Sequence, residues 1–172
     1  MARSNVRLDY DELRKLKEQI MLFGDPTQMD KFFESCAKEL AARLLAKVIK
    51  RTPVGDYSGN DYVDVSGRFH KGHYVAGKVG GTLRRGWTAG DNLNAKSYAN
   101  SLTVNKVGND YVIEIINPVE YASYVEFGHR TRNHKGWVEG HFMLTISEDE
   151  IRNSAPKILE KKLNDYLKGC FS

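Results

Sequence analysis

The apolar positions of this 172-residue chain fall at helical spacing near both ends and alternate in a stretch between. Leu13, Leu16, Ile20 and Phe23 step along one face of a helix expected over 9–23. Asp9 opens it, Glu12 follows three residues on as an acidic capping box, and Gly24 is a natural stop. Asp25-Pro26 then supplies an N-cap followed by proline at the first helical position. The helix this predicts runs over 26–51. Its stripe is Met29, Phe32, Phe33, Cys36, Leu40, Leu44 and Val48, widened by Ala37, Ala41, Leu45 and Ile49. Lys47, Lys50 and Arg51 suit the negative end of its dipole, and Pro53 stops it.

From Thr52 to about Gly81 the periodicity dissolves. Nine of the fifteen glycines lie between Gly55 and Gly90, among Tyr57, Tyr62, Phe69 and Tyr74. A stretch of this length without regular structure marks a functional or partner-ordered loop, and its aromatics set it apart from a Gly/Ser spacer. The expectation is an extended loop over 52–81, or a hairpin, that orders against a neighbouring molecule.

Alternation returns over 101–117. Leu102 and Val104 mark one strand, Ile113 and Ile115 the next, and Gly108-Asn109 makes a tight hairpin turn. Asn117, Pro118 and Glu120 read as N-cap, first-turn proline and capping box of a short helix over 118–127, which Gly128 closes. On that periodicity Tyr121, Tyr124, Val125 and Phe127 belong to the core. From His141 the pattern fits strand or helix until Ser147 and Glu150 form another capping box. Pro156 breaks or restarts that helix, and Ile158, Leu159, Leu163, Tyr166 and Leu167 form its last face, giving a helical region over 141–167. The element order predicts one α+β domain over 1–172: a long N-terminal helix packed on a small antiparallel β-sheet, a short helix, a C-terminal helix and a long extended loop.

Composition adds an ordinary globular balance, 41% hydrophobic against 28% charged. No apolar run approaches the ~20 residues that cross a bilayer. Met1 to Lys15 carries charge where a signal peptide is apolar, so the expected setting involves no membrane. Cys36 reads as a small buried apolar residue, and with Cys170 at the chain end it makes no disulfide framework. The net charge of +4 is unevenly spread. Between Val65 and Gly90 there is no acidic residue, while Arg68, Lys71, Lys78, Arg84 and Arg85 add positive charge beside His70 and His73. A second cluster holds His129, Arg130, Arg132, His134 and Lys135. Such surfaces attract phosphate backbones or acidic protein faces, or simply keep a loop solvated.

Catalytic patterns fail one by one. Gly77 to Gly86 lacks the Gly-Lys-Ser/Thr ending of a P-loop and the dinucleotide-binding glycine pattern. Asp56, Asn60, Asp61 and Asp64 do not have EF-hand spacing. His70, His73, His129, His134 and His141 lack the paired cysteines or H-E-x-x-H arrangement of a zinc site. Glu120 and Glu126, six apart, do not share a helix face as a carboxylate pair. The expectation is a protein without catalytic residues, cofactor or metal.

Three segments, taken in order, resemble a known family. Gly81-Thr82-Leu83-Arg84-Arg85-Gly86-Trp87 is similar to a short Leu-Arg-x-x-Trp box that follows a long first helix ending in a Pro-Val pair, here Pro53-Val54. Asn117 to Gly128 is similar to an Asn-x-x-x-Tyr-Ala-x-x-Val-Glu-Phe-Gly signature, and Gly140-His141-Phe142-Met143-Leu144 precedes a long last helix. The family is the tail-component family of tailed bacteriophages, small neck proteins often called tail-completion proteins. The resemblance covers about residues 30–167, with 9–23 and the length of the 53–81 loop as departures.

The resemblance implies a non-enzymatic virion protein of the neck or tail, assembled in the host cytoplasm. It implies a homo-oligomeric ring, six copies, between a head-side connector or stopper protein and the tail terminator or tail tube. DNA passes through that ring without sequence-specific binding. Arg84, Arg85, Arg130 and Arg132, with Arg68, Lys71 and Lys78, are then candidate interface or DNA-channel charges. Trp87 and Trp137 are candidate interface anchors, since tryptophan is enriched at hot spots. A tail-terminator ring capping the tail tube, or a small basic nucleic-acid-binding module using Val65 to Gly90, are the alternative readings.

Overall fold

The computed structural model describes residues 24–170, apart from positions 64–66, 68, 73, 75, 78, 92 and 109. The helix expected over 9–23, together with Arg68 and Lys78, lies outside the described residues.

Helix α1, Pro26–Arg51, is the spine, about 39 Å long at 1.5 Å per residue. Asp25 caps it by accepting the Thr27 N–H at 3.0 Å, and Pro26 opens its first turn. Its core face is Ala41, Leu45 and Val48, the last two fully buried. Leu45 and Val48 each stabilise the fold by about 1.5–3 kcal/mol over an exposed position.

The other end of α1 is closed by a knot of hydrogen bonds at Thr52, which is fully buried. Both its N–H, at 2.9 Å, and its hydroxyl, at 2.6 Å, donate to the Val48 carbonyl. Its own carbonyl accepts from Arg84 Nε at 3.1 Å and Nη2 at 2.7 Å. The Trp87 indole N–H donates to Thr52 Oγ1 at 2.7 Å. Arg84 belongs to α2, Thr82–Gly86, a single turn whose Leu83 enters the same core.

Between α1 and α2 lies an arm, positions 53–81. It carries a two-residue ladder, β1 Tyr62–Val63 with β2 Phe69–His70, in the register Tyr62↔His70 and Val63↔Phe69. Its two limbs meet backbone to backbone at the root, where a Cβ on Gly80 would lie 1.9 Å from the Gly55 carbonyl oxygen. Only glycine fits there.

Helix α3, Ala95–Ser101, is capped by Asn94, whose Oδ1 accepts the Ser97 N–H at 2.9 Å. It ends at Ser101, where the expected strand was to begin. Asn94 as cap with Ala95, Tyr98 and Ala99 makes a helical pattern, and Ala99 is fully buried against the core. The hairpin is correspondingly shorter than 101–117: β3 Asn105–Val107 pairs antiparallel with β4 Asp110–Val112. From Ile113 to Asn117 burial still alternates, with Ile113 and Ile115 against the core, but no strand pairs with this segment among the described residues. Lys106 Nζ, 2.7 Å from Asp30, and the Tyr111 hydroxyl, which donates to the same carboxylate, latch the hairpin to the first turns of α1.

The short helix α4 is Ala122–Phe127, four residues later than expected. Asn117 does not cap it. Its Nδ2 donates to the Leu83 carbonyl at 2.9 Å, and its Oδ1 takes the Val119 N–H at 3.2 Å, which holds Pro118 and Val119 in a turn outside the helix. A last two-stranded ladder, β5 Gly128–Arg130 with β6 Trp137–Glu139, leads into α5, Met143–Cys170. The ambiguous segment after His141 is therefore helix, and it runs through Pro156 without a break. Ser147 is no N-cap: buried one turn inside, its hydroxyl donates to the Met143 carbonyl at 2.6 Å and accepts from Arg51 Nη1 at 2.6 Å. The architecture is α+β: among the described residues, two long helices carry three small antiparallel ladders. No helix among the described residues is long and apolar enough to cross a membrane.

Two predictions follow the buried contacts. Thr52→Val leaves the Trp87 N–H buried without an acceptor and lowers stability by about 1–3 kcal/mol, whereas Thr52→Ser keeps the bond and recovers most of it. Urea unfolding with an unchanged m-value reads both. Glu150, 2.7 Å from Lys47 Nζ and 2.9 Å from Arg51 Nη2, has its carboxyl held below the ordinary value of 4.5 by the Lys47 hydrogen bond and then by Arg51. A depressed value stabilises the fold above the ordinary range and ceases to as pH falls through it, so Glu150→Gln makes the acid side of the stability profile shallower.

Candidate assembly surface

Helix α4 is only six residues long, and three of its side chains settle what its neighbourhood can do. Ala122 and Val125 pack on the core, and Glu126 is 5% exposed. That choice of inner face turns Tyr124 and Phe127 outward, with Tyr121 just before them, at 45–60% exposure. The expectation that these aromatics are core is thereby corrected. Val125, expected in the core with them, does pack against it, and the buried position beside it is taken by Glu126.

Glu126 reaches across to the start of α5. Its Oε2 accepts the Leu144 N–H at 2.9 Å, and its Oε1 accepts the Thr145 N–H at 2.9 Å and the Thr145 hydroxyl at 2.7 Å. A carboxylate here satisfies amides that the first turn of a helix leaves unpaired, and it complements the positive end of the dipole. The same turn is clamped through the backbone: Phe142 N–H donates to the Glu126 carbonyl at 3.0 Å and His141 N–H to that of Val125 at 2.8 Å. Gly128, at φ 83°, lets the chain leave α4 directly into β5, and a Cβ there would lie 2.4 Å from the Val138 carbonyl oxygen. The β5–β6 hairpin is thus pressed onto the end of α4.

Tyr121, Tyr124, Phe127, Trp137, Val138 and Phe142, on α4, the hairpin and the approach to α5, are all exposed. The Tyr124 ring lies 5.7 Å from that of His129, and Arg130 pairs with Trp137 across the ladder. Arg132, His134 and Lys135 are exposed at the hairpin tip. A surface of aromatic rings edged by cations suits protein contact and phosphate passage; it offers no paired carboxylates or nucleophile. Among the described residues no group of three His, Cys, Asp or Glu is placed to hold a metal ion. Asp56 and Asp61 instead accept the N–H groups of Ser58 and Gly72 within the arm, and the Ser58 amide holds the Asp56 carboxyl below its ordinary value.

The candidate residues separate into three groups. Arg84 and Trp87 meet on Thr52; Trp87 is 3% exposed and Arg84 half-buried, which removes the tryptophan from any surface and gives the arginine a structural partner. Arg130, Arg132 and Trp137 share the β5–β6 hairpin, fully at the surface. Lys71 is exposed on the arm, and Arg85 lies at its root, Nη1 3.3 Å from the Gly80 carbonyl. The arm presents Val63, Phe69, Tyr74 and Val79, each more than 60% exposed. Glu126 was missed as a positioning residue: its partners lie eighteen and nineteen residues ahead, beyond any capping-box spacing.

Glu126→Gln weakens the α5 cap and lowers stability by about 1–3 kcal/mol, while Tyr124→Ser at the exposed face stays within about 0.5 kcal/mol. Thermal and urea unfolding of the two variants give the comparison.

Comparison with known proteins adds one match. The family described as "Bacteriophage HK97-gp10, putative tail-component" matches residues 14–128. No curated protein and no solved structure matches the chain. The match starts inside the 9–23 segment, which had been set apart as a departure, and ends at Gly128 rather than near 167, ahead of most of the β5–β6 hairpin and α5. Its span takes in the whole of α1, the arm, the Arg84–Trp87 turn and the Asn117–Glu126 segment. The chain belongs to the HK97-gp10-like family of bacteriophage tail components.

Proposed function

We propose that this tail component is a non-enzymatic structural protein of the neck, assembling with copies of itself into a ring, of six subunits, that joins the head-side connector to the tail around the DNA channel. The observation that carries the reading is the division of labour among its side chains. Arg84, Trp87, Asn117 and Glu126 are engaged inside the fold, while two separate apolar surfaces, the α4–β5–β6 face and the arm, stand in solvent. Two different sticky patches on one chain favour a head-to-tail contact, and a head-to-tail contact that closes makes a ring.

The exposed cations Lys71, Arg130 and Arg132 fit passage of DNA. They supply phosphate attraction without a groove-reading element, so they favour transit over base recognition. The partners on this reading are a second copy of the chain, a connector or stopper protein above, and a tail terminator or tail tube protein below.

Electron microscopy of particles from producing cells lacking this gene tests the placement. Filled heads beside separate, complete tails are expected. Tubes of irregular length would move the ring to the tail terminus, and normally joined particles would overturn the neck reading altogether. Supplying Tyr124→Ser/Trp137→Ser in place of the wild-type chain reproduces the deletion phenotype although the isolated variant subunit remains folded.

A further inference from the structure

Past β4 the alternation of a strand continues without a partner. Over 113–116 no backbone N–H or carbonyl is hydrogen-bonded among the described residues. Ile113 and Ile115 pack on the core, while Glu114 and Ile116 are exposed. One face is thus buried and the edge left open, and open edges are templates for another strand. A groove of about 320 Å³ is lined by Ile113 and Ile115, by Leu40 and Leu44 of α1, and by Ile151 of α5. It combines main-chain partners with apolar seats for alternate side chains, the two requirements of strand addition. Glu148 and Arg152 also line it, and the Arg152 guanidinium is held by Glu148 at 2.7 Å and by Asp149 at 3.3 Å. Glu114 has no ion pair among the described residues. Three carboxylates against one guanidinium make the rim acidic, which disfavours a nucleic acid as occupant.

We infer that the occupant is the β2 limb of the arm of a second copy of this chain, laid in as an added strand beside 113–116. The inference rests on the ring reading above, and it gives the arm its seat on the neighbour. Phe69 and His70 of β2 are already extended, and Phe69 is 64% exposed. Lys71, next along the limb, is exposed and has no ion pair among the described residues. The sequence over 67–81 holds no acidic residue and adds Arg68 and Lys78, so its sign complements Glu114, Glu148 and Asp149. Phe69 then fills the apolar seat over Leu40 and Leu44, and Lys71 comes to the acidic rim. Contact between unlike parts of two copies is heterologous, so its repetition closes a ring when the rotation closes. The α4–β5–β6 face stays available to the other contacts of the particle.

Crosslinking in particles from producing cells tests the pairing. With Cys170→Ser as background, Glu114→Cys and Lys71→Cys in one chain are expected to be joined by a short bismaleimide into a ladder of multimers beyond the dimer. Either cysteine alone gives no ladder. Both positions are exposed, and an unchanged urea midpoint of the free subunit shows that the variants fold. Glutaraldehyde on the same particles separates the two ways of failing. A glutaraldehyde ladder with no bismaleimide ladder overturns the arm's seat and leaves the ring standing. No multimer with either reagent overturns the ring, and the seat with it. A ladder from Lys71→Cys with Trp137→Cys, and none with Glu114→Cys, would put the arm on the α4–β5–β6 face. A Lys71→Cys thiol that maleimide reaches only after DNA is removed would assign the arm to nucleic acid. Either of these results overturns the inference.

Discussion

Everything in this fold depends on how the carboxyl end of a 26-residue helix is closed without water. Thr52 is fully buried there, and a buried carbonyl, amide or hydroxyl without a partner costs of order 1–3 kcal/mol each. All three are satisfied: the amide and hydroxyl turn back to Val48, and the carbonyl and hydroxyl oxygen take Arg84 and Trp87. The Leu-Arg-x-x-Trp box is thereby explained as a plug for the helix end. Leu83 enters the core, Arg84 caps, and Trp87 supplies both apolar bulk and one donor.

From that plug a chain of polar clamps runs through the rest of the molecule. The Leu83 carbonyl holds Asn117, which sets the turn before α4; α4 then delivers Glu126 to the first amides of α5; and α5 returns to the end of α1 through Ser147 and Glu150. Among the described residues no buried side-chain nitrogen or oxygen lacks a partner. Such a circuit lets a small apolar core specify one arrangement, because each clamp is satisfied in that arrangement alone. It also frees the aromatic residues of α4 and the β5–β6 hairpin from structural work, and leaves them, with the arm, as the surfaces available for assembly.

Legibility from the sequence followed the range of the interaction. The ends of α1 were readable because Asp25, Pro26, Lys50 and Arg51 act on their own helix. The glycine-rich arm was readable as an interruption, although its ladder is only two residues long. Helix α3 is too short for its spacing to stand out, and the strand pattern was begun at Ser101, the last residue of that seven-residue helix. Outward Tyr124 and inward Glu126 reverse what hydrophobicity predicts, since the carboxylate is drawn inside by amides eighteen residues away. Trp87 reads as an interface anchor in one dimension and proves to be a core donor in three. Arg130, Arg132 and Trp137 lie close in sequence, and the short β5–β6 ladder sets all three on one exposed hairpin.

Amide hydrogen exchange, compared between the free subunit and the assembled particle, tests this division of labour most directly. The account predicts that the amides at the Thr52 junction and the first turn of α5 are already among the slowest in the free subunit, and that assembly adds protection chiefly in the arm and along 121–139. Gain of protection along the outer faces of α1 and α5, with the arm and the hairpin exchanging as fast as before, would contradict it.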